Sequence, residues 1–277
     1  MTDYIDHSFQ TPFGEIAART WGNGHKKILA IHGWLDNLES FTPLAQALSD
    51  DYQLTAIDLP GHGLSYHHQD KLPYHFIDYP LHLAFILKEL DFHGTLIGHS
   101  MGAAIAILVT ANFPEHVKEL VLIDGIAPIF CSPEENATQL RKTFEHYQKS
   151  HNKKRKHKID LQTATKLRLQ ANKIKTESAE LLSKRNLSDK QEWNYDRFLK
   201  APSPLRFSEE QIKAYLQAIH CPSTIITATQ NKLINKSLES LKQYFNAPTS
   251  IHRIPADHHL HMDLPEQVAH IIRPPAL

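Results

Sequence analysis

Cysteine is almost missing from this chain, with Cys131 and Cys221 the two examples in 277 residues. Two thiols cannot staple a chain of this length and neither lies in metal-ligand spacing, which excludes a disulfide scaffold and points to a reducing compartment. Net charge is missing too. The 30 Lys and Arg balance 30 Asp and Glu, so no whole-molecule field attracts nucleic acid or an anionic membrane. Long apolar runs are also absent. The longest, Met101 to Ala111, is about half the roughly 20 residues a helix needs to cross a bilayer. The first ten residues are polar and carry Asp3 and Asp6, unlike the basic start and apolar core of a signal peptide. These absences predict a soluble cytoplasmic protein, a monomer or homodimer, whose partner is a small molecule and which binds no nucleic acid and spans no membrane. Histidine is plentiful, at 20 residues, but most, such as His67, His68, His151 and His157, are scattered and read as solvated surface.

What is present is alternation. Short apolar runs at Lys26–Gly33, Gln53–Asp58, Gly94–Gly98 and Val117–Asp124 read as strands, and the helical spacings at Ser40–Leu48, Tyr74–Leu90 and Met101–Phe113 fall between them. Repeated strand–helix order without polar alternation in the strands predicts a parallel sheet covered on both faces. The pattern breaks at Pro128. From there to Leu205 the chain carries 17 basic and 9 acidic residues, is helical in propensity, and shows no strand. Its basic run, Lys153 to Lys158, reads as a solvated helix end or loop. Strands at Ser223–Thr229 and Pro248–Ile254 and helices at Asn235–Phe245 and Pro265–Ile272 then resume the first pattern. The expected division is a core of residues 1–127 and 206–277, with 128–205 as a helical insertion.

The strongest local signal is Gly98-His99-Ser100-Met101-Gly102. A serine on a sharp strand-to-helix turn needs small residues two before and two after it, and such a turn leaves the hydroxyl exposed as a nucleophile. That hydroxyl is weak at neutral pH, so it needs a base and donors for the charge that develops on the attacked carbonyl. The backbone N–H of Met101, at a helix start, is the expected first donor. The second is expected from His32-Gly33-Trp34-Leu35-Asp36-Asn37, where Gly33 lets the Trp34 N–H turn inward.

These segments, with Asp58-Leu59-Pro60-Gly61-His62-Gly63-Leu64-Ser65, Leu120-Val121-Leu122-Ile123-Asp124 and Ile254-Pro255-Ala256-Asp257-His258-His259-Leu260-His261-Met262, resemble the α/β-hydrolase superfamily, and within it the serine hydrolase-like proteins. The resemblance covers nearly the whole chain. It implies an α/β-hydrolase fold, a mostly parallel eight-stranded sheet with helices on both faces, and makes the insertion at 128–205 a helical cap after the sixth strand. It implies His258 as the base, with His261 helping to build the loop and His259 pointing elsewhere. It also exposes a departure, because after the seventh strand, where most relatives carry Asp, this chain has Asn231. An amide can orient an imidazole but cannot stabilise its charged form. Asp124, at the end of the sixth strand, is therefore the expected third member of the triad, with Asn231 and Asp257 as alternatives; Asp36 is expected to buttress the loop carrying Trp34, and His62 to shape a turn.

A serine nucleophile forms an acyl enzyme from a carbonyl substrate, whereas relatives that open alkyl halides or epoxides use Asp. The expected activity is that of a cofactor-independent, metal-free serine hydrolase (carboxylesterase-like) acting on a small or medium acyl ester. Two alternatives share the sequence: a carbon–carbon bond hydrolase using the same residues, and a non-catalytic binding protein on a hydrolase fold, suggested by Asn231. Phe130, Phe144, Tyr147, Trp193, Tyr195 and Phe198 are the candidates for an apolar acyl pocket, and the basic excess of the cap suits an anionic ester.

Overall fold

The structure is a computed structural model that describes residues 3–48, 50–69, 73–151 and 158–273. The basic run expected as a solvated helix end lies outside these residues except for Lys158. One eight-stranded sheet contains β1 (Tyr4–Thr11), β2 (Gly14–Trp21), β3 (Lys26–Ile31), β4 (Tyr52–Ile57), β5 (Gly94–His99), β6 (Val117–Ile123), β7 (Ser223–Ala228) and β8 (Thr249–Ile254), in the order β1-β2-β4-β3-β5-β6-β7-β8. All pairings from β4 to β8 are parallel. In β3, β4, β5, β6 and β7 the last four residues are buried, which is why their sequences run apolar without alternation.

The helices are α1 (Thr42–Ala47), α2 (Tyr79–Glu89), α3 (Met101–Asn112), α4 (Pro133–His151), α5 (Leu161–Ala171), α6 (Thr176–Arg185), α7 (Glu209–Gln217), α8 (Lys232–Leu241), α9 (Leu260–Asp263) and α10 (Pro265–Ile272). Alternate strand residues feed two cores. Leu29, Ile31, Leu96, Leu120 and Leu122 pack with Leu83 and Leu87 of α2, Ile105 and Val109 of α3, and Leu238 of α8. Ile28, Ala30, Ile97, Val121 and Ile226 pack on the other face with Leu44 of α1 and Val268 of α10. Each large aliphatic side chain so buried contributes about 1.5–3 kcal/mol. The two cores hold the carboxyl ends of β5 and β6 rigidly between them.

Residues 4–21, for which the sequence reading gives no element, form the antiparallel hairpin β1–β2, joined at Gly14 with φ 147° and paired antiparallel to β4. Helix α8 starts three residues earlier than its apolar spacing predicts, because the Asn231 side chain caps it by accepting the Ile234 N–H at 3.2 Å. Between β6 and β7 the chain leaves the sheet for α4, α5 and α6. Their buried residues are few: Gln139 and Thr143 in α4, Ala164 and Thr165 in α5, and Ser178, Ala179, Leu182 and Ser183 in α6.

Candidate active site

β5 ends at His99 and α3 begins at Met101, leaving Ser100 alone in the turn with φ 53° and ψ −115°. Such a conformation costs a non-glycine residue on the order of 1–3 kcal/mol, so its surroundings must impose it. They do so by backbone contact. A Cβ on Gly98 would lie 2.3 Å from the Gly102 carbonyl oxygen, one on Gly102 2.0 Å from the Ile31 oxygen, and one on Gly125 2.5 Å from the Ser100 oxygen. The Ser100 N–H donates to the Ile123 carbonyl at 2.9 Å. The turn is wedged between β3, β6 and α3, and the side chain of Ser100 is left facing the histidine loop.

That loop follows β8 and brings His258 Nε2 within 3.0 Å of Ser100 Oγ. On the far side of the ring, Nδ1 donates to Asp124 Oδ2 at 2.6 Å. Asp124 is the first residue after β6, is fully buried, and has φ 44°; its other oxygen accepts the Ala228 N–H at 2.9 Å. Asn231 meets the same group from another side. Its Nδ2 donates to Asp124 Oδ2 at 2.7 Å and stands 3.5 Å from His258 Nδ1. Two N–H donors cannot bond each other, so both converge on the Asp124 carboxylate. Among the described residues no hydrogen bond joins Asp257 to His258.

The loop after β3 lies against this centre. A Cβ on Gly33 would meet Ser100 Cβ at 3.3 Å and His99 Nδ1 at 3.1 Å, so a residue without a side chain is what allows the approach. The backbone N–H groups of Trp34 and Met101 form no hydrogen bond to other described residues. Asp36 is buried, pairs with Arg168 Nη2 at 3.0 Å, and accepts from His259 Nε2 at 3.2 Å. Burial alone would raise its carboxyl, but the charges of His259 and Arg168 and the His259 hydrogen bond hold it well below the usual carboxylate range. His259 thus faces Asp36 and not Ser100, while His261 Nε2 meets Ser40 Oγ at 2.8 Å. Asp36, His99 and His259 have ligand atoms within 4.8 Å of one another; the Arg168 guanidinium already supplies the cation this carboxylate requires.

Tautomers in this region are set by backbone. His99 Nε2 donates to the His258 carbonyl at 3.0 Å, and burial pushes the His99 imidazole down to about 4. His32 accepts the Leu59 N–H on Nε2 at 3.0 Å and donates from Nδ1 to the Gly33 carbonyl at 2.7 Å. His62 is buried with its Nδ1 on the Pro60 carbonyl at 3.0 Å, inside the turn after β4. Of the aromatic candidates in the insertion, Phe198 is buried and meets the Tyr147 ring at 4.9 Å, Trp193 meets Tyr195 at 5.1 Å, and Phe144 is 60% exposed.

No spacing in the sequence singles out an arginine. Arg168 of α5 and Arg185 of α6 reach from the insertion to Asp36 and to the fully buried Asp58, the latter at 2.8 Å. Their partners lie more than a hundred residues away in the chain, beyond any local spacing signal.

Comparison with known proteins agrees with this architecture. The chain is 29% identical to a probable serine hydrolase of Drosophila melanogaster over 288 residues, covering 97% of this chain and 86% of that protein. It is 28% identical to serine hydrolase-like protein 2 of Homo sapiens over 285 residues, covering 94% and 90%. A hypothetical protein of Pseudomonas aeruginosa, solved by crystallography, matches with a TM-score of 0.87 at 30% identity, over 95% of this chain and 96% of that one. The thioesterase domain from the curacin biosynthetic pathway shares the fold, with a TM-score of 0.86 at 24% identity over 98% and 99% of the two chains. Residues 27–265 match the α/β-hydrolase fold family, and with relatives named as serine hydrolase-like proteins on one side and this sheet order on the other, the chain belongs to that superfamily.

Proposed function

We propose that this serine hydrolase-like protein is a carboxylesterase-like enzyme that cleaves a small or medium acyl ester through an acyl-enzyme intermediate. The observation that carries the reading is the unbroken line of hydrogen bonds from Ser100 Oγ to His258 at 3.0 Å and from His258 to Asp124 at 2.6 Å. In the first half-reaction Oγ attacks the ester carbonyl while His258 Nε2 takes its proton. The oxygen that becomes negative accepts from the N–H groups of Trp34 and Met101, the second aided by the start of α3. The intermediate then collapses, the alcohol leaves with the proton from His258, and Ser100 holds the acyl group. Water, deprotonated by His258, releases the acid and restores the hydroxyl. Asp124 holds the imidazole in its reactive tautomer and stabilises its charged form throughout.

The binding-only alternative rests on an amide in place of the acid; the buried carboxylate beside His258 Nδ1 supports the catalytic reading instead. The insertion is read as the cap over the acyl pocket, and its basic excess suits substrates with a negative group. A cytoplasmic small-molecule enzyme is the matching setting. Cys131 and Cys221 are unpaired, and no described helix is long and apolar enough to cross a membrane.

The test is a panel of p-nitrophenyl esters graded in chain length, with mass spectrometry of the quenched enzyme. An acyl adduct on the peptide containing Ser100, absent from Ser100→Ala, is expected; turnover that persists in Ser100→Ala would defeat the reading. Carboxylate-bearing esters should lose their advantage at high salt, and equal rates at both salts would exclude a role for the basic cap.

A further inference from the structure

Four consecutive residues of the loop that carries the Trp34 N–H are each tied to the insertion. Trp34 Nε1 donates to the Leu199 carbonyl at 2.9 Å. The Leu35 carbonyl accepts from Arg168 Nη2 at 2.9 Å and from Asn186 Nδ2 at 3.3 Å. Asp36 Oδ1 takes the same Arg168 nitrogen at 3.0 Å, and Asn37 Nδ2 donates to the Leu182 carbonyl at 2.9 Å. Leu35 itself has φ 59°, a left-handed conformation that a leucine keeps only when its neighbours hold it there. Both side-chain donors that grip its carbonyl belong to the insertion. Among these contacts, Arg168 alone binds two loop residues, the carbonyl of Leu35 and the carboxylate of Asp36.

Ser100 and Asp124, by contrast, are fixed by the sheet and need nothing from the insertion. We propose that Arg168 is a positioning residue, which seats the insertion on residues 34–37 and thereby aims the Trp34 N–H at the reacting carbonyl oxygen. The inference rests on the reading of Ser100 and Trp34 given above. Its consequence is a site armed in two stages. Ser100 and Asp124 stand ready whatever the insertion does, but the charge-stabilising donor is in place only while the insertion is docked. A substrate bound without that docking is left unreacted, which couples coverage of the site to chemistry.

The experiment compares wild type, Arg168→Gln, Arg168→Lys, Arg168→Ala and Ser178→Ala on one p-nitrophenyl ester, with melting temperatures in parallel. Ser178→Ala removes a different contact between insertion and core, the 2.8 Å bond from Ser178 Oγ to Asp263 Oδ1, and serves as the control for docking alone. Displacing one oxyanion donor should lower kcat about 10- to 100-fold in Arg168→Gln with KM within about threefold of wild type. Arg168→Lys keeps the charge facing Asp36 but lacks the guanidinium fork, and should be intermediate. Guanidinium ion added to Arg168→Ala should restore part of kcat and leave Ser178→Ala unchanged. Unchanged kcat in both Arg168→Gln and Arg168→Lys overturns the proposal, and so does a loss in Ser178→Ala equal to theirs. If Arg168→Gln does not fold, Arg168→Lys and the rescue decide by the same criteria. A wild type that turns over no ester and forms no adduct on Ser100 fails the underlying reading, and the inference with it.

Discussion

At the carboxyl ends of β5 and β6, Ser100 and Asp124 are held by backbone packed on backbone, with φ angles of 53° and 44° and glycines whose missing side chains make room for main-chain oxygens. The insertion meets the loops beside that edge with two ion pairs to buried carboxylates, Arg168 on Asp36 and Arg185 on Asp58. The two regions therefore fail in different ways. The sheet edge is intolerant of added volume and the insertion of lost charge. Under the proposed function this difference suits a nucleophile and base that must not move and a segment that must lift and return over a substrate.

Acid is the strongest challenge to the sheet edge. Burial holds His32 and His99 down to about 4 and His62 to about 3, so all three stay neutral in the fold while an unfolded chain protonates them near 6.5. Their contribution is complete above pH 6.5 and drains away as pH falls toward 4, because the unfolded state then binds more protons. At about 1.4 kcal/mol per pH unit for each histidine, three of them remove on the order of 6 kcal/mol by pH 5. Urea midpoints at pH 7 and pH 5 should show a collapse of at least that order, since burial pushes His82 and His261 down as well; equal midpoints would mean these imidazoles are not held neutral by the fold.

A steric challenge comes next. Gly102→Ala places a Cβ against the main-chain oxygens of Ile31 and His32, which have no rotamer to yield, and should cost about 4 kcal/mol, at the exceptional end of single substitutions. Near-native stability in urea would show that the edge can shift, and would erase the contrast drawn here. Arg185→Met is the matching charge experiment. It strands the buried Asp58, which among the described residues keeps the Leu38 and Leu64 N–H donors at 2.8 Å each, and should cost about 3 kcal/mol, the lower end for one lost partner of a buried pair. If a second substitution, Asp58→Asn, fails to recover part of that loss, the charge argument for the insertion is wrong.

The regions also differed in what the sequence disclosed. The parallel strands were legible because burial on both faces writes itself into unbroken apolar runs, and Ser100 because its turn demands glycines at fixed offsets. The hairpin β1–β2 escaped because one of its strands lies at the sheet edge, with polar residues such as His7 and Thr20, whose side chains hydrogen-bond across the pair, in place of a clean apolar alternation. Asn231 invited two readings. Its position suggests a member of the triad, but its side chain caps α8 and supports Asp124, a distinction of about an ångström that residue spacing does not encode. Arg168 and Arg185 sat among many solvated cations of the insertion, and only the fold separates the two that find buried carboxylates from the rest.

The measurement that bears most directly on the account is the rate of labelling by a fluorophosphonate in wild type, Ser100→Ala, Asp124→Asn and Asn231→Ala, side by side. With Asp124 as the carboxylate partner of His258, Ser100→Ala should stay unlabelled, Asp124→Asn should slow by about 10³- to 10⁴-fold, and Asn231→Ala, which loses one hydrogen bond to a charged group, by about tenfold. Rapid labelling of Asp124→Asn together with an inert Asn231→Ala would contradict it.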